Sequence, residues 1–290
     1  MNPAHDQILA VLGRGVVPVE TPLLSADDLG VTRGDGCFDA ARVTPGPDGP
    51  RVHYLAEHLA RLSRSASALG IDAPLADEWV SLVGEALQGW TSTDDAVCKF
   101  VLTRGLESRP SAPVGYLTIT TAADASRARR GVTAVTLDRG YRSDAFADAP
   151  WLLGGVKTLS YAVNVAAKRE AAALGVDEAI FRSSDGYLLE GPTAGLLFSS
   201  EDQLWTIPFE STGVLPSVTI AAVFEAARSN GVDTGQRMLR CAETADCDGL
   251  WLVSAIRGVL PVLSLDGRPL RHDPEVTSVL ATAVGFGSIN

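Results

Sequence analysis

Lysine is scarce in this chain. Among 290 residues only Lys99, Lys157 and Lys168 occur, so arginine carries nearly all the positive charge. Acidic residues outnumber basic ones, 35 to 24, and the net charge is -11 at pH 7. That balance argues against a phosphate-backbone binder, whose affinity rests on cationic contacts. It also disfavours an anionic membrane surface. A small anionic ligand stays compatible, because a local cluster of arginines can outvote the global field. Cysteine is also sparse. Cys37, Cys98, Cys241 and Cys247 form no C-x-x-C pair, and the histidines are scattered at positions 5, 53, 58 and 272. Neither a disulfide framework nor a metal site is expected. No uncharged apolar segment approaches about 18 residues. The opening Met-Asn-Pro-Ala-His-Asp lacks the basic stretch and apolar run of a signal peptide. The expected compartment is therefore the cytoplasm, with no membrane or nucleic-acid partner.

A 46% hydrophobic chain of this length buries a large core, as one domain or two. Val16, Val17 and Val19, broken by Pro18, suit an edge strand. Gly34-Asp-Gly36 marks a turn or a close backbone approach, and a plain surface turn is the commoner outcome. Phe38 to Val43 is either a strand or a short helix. Leu55, Leu59, Leu62, Ala66 and Leu69 follow helical spacing within His53–Leu69, and a second helix is predicted over Ala76–Trp90. Ala96–Thr103 and Val114–Thr121 read as paired strands. Ala122–Arg130 is a polar stretch and the candidate boundary. The expected organisation is an N-terminal domain over 1–121, a linker over 122–130 and a C-terminal domain over 131–290.

The C-terminal half alternates strands and helices. Gly131–Leu137 reads as a strand, and Ser160–Leu174 as a helix stopped by Gly175. Glu178–Arg182 and Tyr187–Glu190 form a hairpin around Ser184-Asp-Gly. Leu196–Ser199 and Leu204–Ile207 continue the meander. A helix opens within Thr212–Thr219, with Pro216 near its first turn, and runs to about Ser229. Leu250–Ser254, Val259–Leu265 and an Asp266-Gly267 turn precede a final helix over Asp273–Val284.

The stretch Trp151–Phe198 concentrates the chemistry. Gly155-Val-Lys157-Thr158 is not a phosphate-binding loop, which needs a glycine directly before its lysine. Lys157 follows an apolar run and precedes a helix. Burial lowers a lysine's pKa and suits it to Schiff-base chemistry, although a lone lysine at such a junction is more often structural. A pyridoxal phosphate (PLP) enzyme needs such a lysine, an acid for the ring nitrogen and a phosphate cradle at a helix N-terminus. Glu190 can be the acid, Val218 and Thr219 the cradle, and Arg61 a further phosphate ligand. Arg61 is otherwise a solvated arginine. Arg104 and Arg109 are either solvated or a carboxylate clamp.

Five segments occur in one order: Arg33-Gly-Asp-Gly-Cys-Phe38, His58-Leu-Ala-Arg61-Leu, Lys157-Thr-Leu-Ser-Tyr161, Glu190-Gly-Pro-Thr-Ala-Gly-Leu-Leu-Phe198 and Gly213-Val-Leu-Pro-Ser-Val-Thr219. Together they strongly resemble the fold-type IV PLP enzymes, the class IV aminotransferase family. The resemblance spans nearly the whole chain. It implies an α+β, two-domain fold of the D-amino-acid aminotransferase type, with a smaller N-terminal α/β domain and a larger C-terminal domain holding a barrel-like sheet. It implies PLP as cofactor, Lys157 as Schiff-base residue and proton shuttle, and Glu190 on the ring nitrogen. Tyr161 would bond the ring hydroxyl. Arg61, Val218 and Thr219 would hold the phosphate, with Thr193, Ala194 and the turn Ser254-Ala255 completing the cofactor site. A homodimer is implied as well.

Within the family, Gly34-Asp-Gly-Cys-Phe38 and Ala41-Arg-Val43 are most similar to 4-amino-4-deoxychorismate lyases. That likeness makes Phe38, Arg42, Arg104 and Arg109 the expected residues for a carboxylate-bearing substrate, and Asp39 a second catalytic residue beside Lys157. Asp39 stands where such lyases carry a threonine and where D-amino-acid transaminases carry an acid. Ser254 stands where the lyases carry an asparagine. The expected activity is conversion of aminodeoxychorismate to 4-aminobenzoate and pyruvate, in folate synthesis. The alternative is transamination of D-amino or branched-chain amino acids.

Overall fold

The computed structural model describes residues 7–109 and 112–287, so His5 and Pro110 lie outside it. The chain divides into two compact units. One comprises residues 1–123 with Val156–Tyr161, and the other Asp124–Gly155 with residues 162–290. The division differs from the sequence expectation in two ways. The polar stretch after Thr121 contains a short helix of the second unit, and a six-residue segment around Lys157 returns to the first.

The first unit is built on an antiparallel sheet. Its strands are β1 (Gln7–Val11), β2 (Gly15–Val17), β3 (Gly36–Thr44), β4 (Arg51–Val52), β5 (Ala96–Thr103) and β6 (Val114–Thr121). Their order is β2-β1-β6-β5-β3-β4. The valine run of β2 is an edge, where Pro18 costs no ladder bond. Phe38 to Val43 is strand, with Phe38 opposite Val101 and Val43 opposite Ala96. Two residues of β3 therefore face opposite sides for each step along it, and this decides the fate of Phe38 and Asp39.

Three helices follow the same unit: α1 (Leu29–Thr32), α2 (Leu55–Ala68) and α3 (Ala76–Gln88). Asp28 caps α1 by accepting from the Gly30 amide at 2.8 Å. The α2 helix starts two residues later than the spacing suggests, because Tyr54 at its N-cap adopts φ 51°. Leu59, Leu62 and Ala66 of α2 join Trp79, Leu82, Val83 and Ala86 of α3 over Phe100, Leu117 and Ile119 of the sheet.

The second unit contains α4 (Ser126–Arg129), β7 (Val132–Asp138), α5 (Ala162–Ala173), β8 (Glu178–Arg182), β9 (Gly195–Ser200) and β10 (Gln203–Thr206). It continues with α6 (Phe209–Thr212), α7 (Val218–Ser229), β11 (Thr234–Gln236), β12 (Gly249–Ser254), β13 (Gly258–Leu265), β14 (Arg268–Pro269) and α8 (Pro274–Ala283). The sheet runs β11-β10-β9-β12-β13-β7-β8, with β14 paired to β13. Parallel pairs, β10 with β11 and β7 with β8 and β13, mix with antiparallel ones. Asp266 (φ 51°) and Gly267 (φ 75°) form the left-handed pair of a two-residue hairpin turn between β13 and β14.

Two expected elements are corrected. Tyr187–Glu190 is not a ladder strand. It folds back on β8 through one bridge, Arg182 to Leu188, and the bonds Leu189 N to Phe181 O and Phe181 N to Glu190 O, both 2.8 Å. Thr212 and Pro216 lie outside α7, because Thr212 ends α6 and Ser217 is the cap of α7. Among the described residues no helix is long and apolar enough to cross a membrane. None of their His, Cys, Asp and Glu side chains form a group that could hold a metal ion.

Candidate active site

In the first unit the segment Val156–Tyr161 lies along β3. The Phe38 amide donates to the Lys157 carbonyl at 3.0 Å, and the Leu159 amide to the Gly36 carbonyl at 2.9 Å. The Lys157 amide donates to Ser65 Oγ of α2 at 3.2 Å. This close approach is what the glycines permit. A Cβ on Gly36 would sit 2.6 Å from the Leu102 carbonyl and 2.7 Å from Leu159 Cδ1. Gly34, at φ 68°, leaves room for Ser160. The Gly-Asp-Gly triplet is thus a packing site for the Lys157 segment and not a plain surface turn.

Lys157 is half-buried, whereas Lys99 and Lys168 are exposed. Its ammonium lies 4.4 Å from the Phe38 ring centre and 5.3 Å from that of Tyr161. The two rings meet edge to face at 5.1 Å. Aromatic faces hold a lysine cation by their quadrupole, so the amine is kept in one place by apolar neighbours.

Asp39 points to the other side of β3. Its carboxylate is fully buried, accepting from Arg61 Nε at 2.7 Å and Arg61 Nη2 at 2.8 Å. It also meets His58 Nδ1 at 2.8 Å and accepts from the Ala40 amide at 2.7 Å. His58 and Arg61 are three apart on α2 and so share a face. Burial alone would raise the Asp39 pKa. The hydrogen bonds and charges of Arg61 and His58 overcome that and hold the carboxyl well below the usual carboxylate range. The expectation of a catalytic Asp39 is corrected here, because no face of this carboxylate is open to a substrate. It orients the Arg61 guanidinium instead.

The three arginines expected at the substrate are placed differently from one another. Arg42 pairs with Asp95 at 2.6 Å. Arg104 pairs with Asp35 at 2.6 Å and donates to the Leu69 and Gly70 carbonyls. It thus caps the C-terminus of α2, which corrects its assignment to the substrate. Arg109 is exposed, and no ion pair joins it to another described residue.

In the second unit Glu190 ends the fold-back beside β8. Its Oε2 accepts from the Leu215 amide at 3.2 Å. Tyr141 is nearby: burial raises its hydroxyl pKa, Arg139 pulls it back and the Glu190 charge adds to the rise. The next four residues form a tight turn closed by the Gly191 amide on the Ala194 carbonyl at 2.9 Å. This turn contains Thr193 and Ala194. Val218 and Thr219 open α7 and are both buried. Ser217 Oγ accepts from the Ile220 amide at 3.2 Å. The amides of a helix's first turn lack intrahelical acceptors and sit at its positive end. Ser254 and Ala255 lie at the end of β12 and in the following three-residue loop.

The sequence expectations give no role to His58, Asn164 or Arg257. Asn164 Nδ2 donates to the Pro192 carbonyl at 2.7 Å. For His58 the i to i+3 spacing from Arg61 was a usable signal. Asn164 and Arg257 act on partners 28 and 64 residues away, and no local pattern marks them.

Comparison with known proteins agrees with the family resemblance. The model of amino-transferase class IV matches residues 36–265. A bifunctional aminodeoxychorismate lyase / D-amino acid transaminase of Mycobacterium tuberculosis is 39% identical over 273 residues, covering 91% of this chain and 92% of that protein. A solved aminotransferase from Mycobacterium tuberculosis, in a PLP-bound form, superposes with a TM-score of 0.89 at 38% identity, covering 96% of this chain and 97% of the other. A fold IV transaminase from Curtobacterium pusillum superposes with a TM-score of 0.88 at 36% identity, covering 96% and 99%.

Proposed function

The chain belongs to the class IV aminotransferases, PLP-dependent enzymes of fold type IV, and from that premise we propose that it is an aminodeoxychorismate lyase. It would convert 4-amino-4-deoxychorismate to 4-aminobenzoate and pyruvate, as a cytoplasmic homodimer in folate synthesis. The support for the lyase is the 39% identity, along nearly the full chain, to a relative whose name carries that activity beside D-amino acid transaminase.

Each unit by itself offers groups of the kind that PLP needs. Lys157, the one lysine that is not exposed, supplies an amine held by two rings. Glu190 supplies a carboxylate, and the first turn of α7 with Thr219 supplies amides and a hydroxyl for a phosphate. Arg61 adds a guanidinium whose plane is set by Asp39. PLP, when bound, supplies an electron sink conjugated to the amine-bearing carbon of the substrate.

The remaining chemistry falls to the chain's own residues. Glu190 would be the carboxylate that holds the ring nitrogen and keeps it protonated by its charge. Lys157 Nζ would be the amine that holds the cofactor and, when free, the base that takes the proton from the amine-bearing carbon of the substrate. The same amine, now protonated, assists departure of the enolpyruvyl group, which leaves as pyruvate while the ring becomes aromatic. Arg109 binds a substrate carboxylate.

D-amino-acid transamination is the second reading, because the same relative carries that activity in its name and the first proton abstraction is shared. It differs in where Lys157 returns the proton. A paired assay separates the two. One arm follows 4-aminobenzoate from aminodeoxychorismate, and the other follows keto acids from a panel of D- and L-amino acids. Aminobenzoate formation is expected. Amino-group transfer with no aminobenzoate would exclude the lyase.

A further inference from the structure

Arg257 occupies a position that the cofactor reading leaves unexplained. It is the last residue of the three-residue loop between β12 and β13, just before Gly258 at φ 78°. Its backbone amide donates to Ser254 Oγ at 3.3 Å and so closes that loop. Its guanidinium reaches two other segments. One Nη donates to the carboxylate of Glu178, which is 5% exposed at the start of β8. The other donates to Thr193 Oγ1 at 3.2 Å, in the tight turn that follows Glu190.

Arg257 thus links the two turns assigned to the cofactor, bonding Ser254 through its backbone amide and Thr193 through its side chain. Glu178 has a separate effect. A guanidinium is planar, and a buried carboxylate fixes its plane through charge-assisted bonds. With one Nη held by Glu178, the other lies 3.2 Å from Thr193 Oγ1. The turn 191–194 is also held from α5, by Asn164 on the Pro192 carbonyl. The turn and the loop also flank the β9–β12 ladder, in which Gly195 pairs with Val253.

We propose that Arg257 is a positioning residue for PLP binding, setting the spacing between the Glu190–Ala194 turn and the Ser254–Ala255 loop while Glu178 fixes its guanidinium. This inference rests on the cofactor roles proposed above for those two turns. The contacts that place Arg257 are with Ser254, Glu178 and Thr193.

The test compares three variants of the full-length protein by PLP titration and by urea unfolding without PLP. Arg257→Met is expected to weaken PLP binding about fivefold to tenfold, the scale of one lost hydrogen bond. It should also lower the unfolding midpoint, because Glu178 is left buried and unpaired. The double variant Arg257→Met/Glu178→Met removes that unpaired charge, so its midpoint should recover towards wild type while PLP binding stays weak. Thr193→Val removes the acceptor, together with any contact of that hydroxyl to the cofactor, and should weaken PLP binding several-fold at an unchanged midpoint. A double variant that recovers PLP affinity together with stability would show a merely structural role and overturn the proposal. Wild-type affinity in Arg257→Met or in Thr193→Val would overturn it as well. If the wild-type protein itself fails to take up PLP at a lysine, the cofactor reading falls, and that outcome is distinct from all the others.

Discussion

Asp39→Asn is the sharpest probe of how this chain holds Arg61. The substitution keeps the shape and removes the charge. Asp39 accepts three hydrogen bonds from Arg61 and Ala40 and meets His58 Nδ1, all between 2.7 and 2.8 Å. Asparagine retains one acceptor oxygen and turns an amide donor towards groups that are themselves donors. Arg61 and His58 are 7% and 1% exposed, so water does not replace the lost partner. Removing one member of a buried pair costs about 3–5 kcal/mol. The control is Glu107→Gln, which breaks the pair with Arg33 at 3.0 Å, with side chains 59% and 64% exposed. Exposed pairs contribute at most about 1 kcal/mol. The assay is urea unfolding at neutral pH, with hydrogen exchange of the α2 amides to locate the loss.

The pH dependence has a definite sign. The folded pKa of Asp39 lies below its ordinary 3.8, so its contribution is full above that value and is lost as pH falls towards the folded pKa. The gap between wild type and Asp39→Asn should stay constant at neutral pH and shrink only below about pH 4. A loss no larger than that of Glu107→Gln, or a gap that closes near pH 6, would refute the reasoning.

Other outcomes follow from the same geometry. Arg109→Ala should raise KM for a carboxylate-bearing substrate with stability unchanged within about 0.5 kcal/mol, because its side chain is exposed. Arg104→Ala should do the reverse. It should lower the unfolding midpoint and leave KM near wild type, since it holds Asp35 and the end of α2. Burial pushes the Cys37 thiol up to about 12 and raises that of Cys98 too, whereas Cys241 is only half-buried. An alkylating reagent should therefore label Cys241 in the native protein, and reach Cys37 and Cys98 only on unfolding. Mass mapping before and after denaturation reads this directly.

Much of the framework was legible because it is local. The paired strands β5 and β6 have the bounds that alternation predicts, Ala96–Thr103 and Val114–Thr121. The helices α2 and α3 follow from their apolar spacing, and the Asp266-Gly267 turn from its backbone requirement. What stayed hidden depends on distant partners. Three-residue β11 has no alternation to read, and it exists because β10 offers it a parallel edge. Arg104 reads as a substrate clamp until Asp35, 69 residues earlier, claims it. Asp39 and Phe38 are neighbours in sequence, and only the strand pleat separates their roles. The Gly-Asp-Gly triplet gained its meaning from a segment more than a hundred residues later.

The scarcity of lysine makes the central claim directly testable. The purified protein is loaded with PLP, reduced with borohydride to fix any lysine-bound cofactor and digested for mass mapping. The account predicts a phosphopyridoxyl mass on the peptide containing Lys157, with none on the exposed Lys99 or Lys168. Lys157→Ala should abolish both the label and the visible absorbance. Label on Lys99 or Lys168, or absorbance that survives in Lys157→Ala, would contradict the assignment of Lys157.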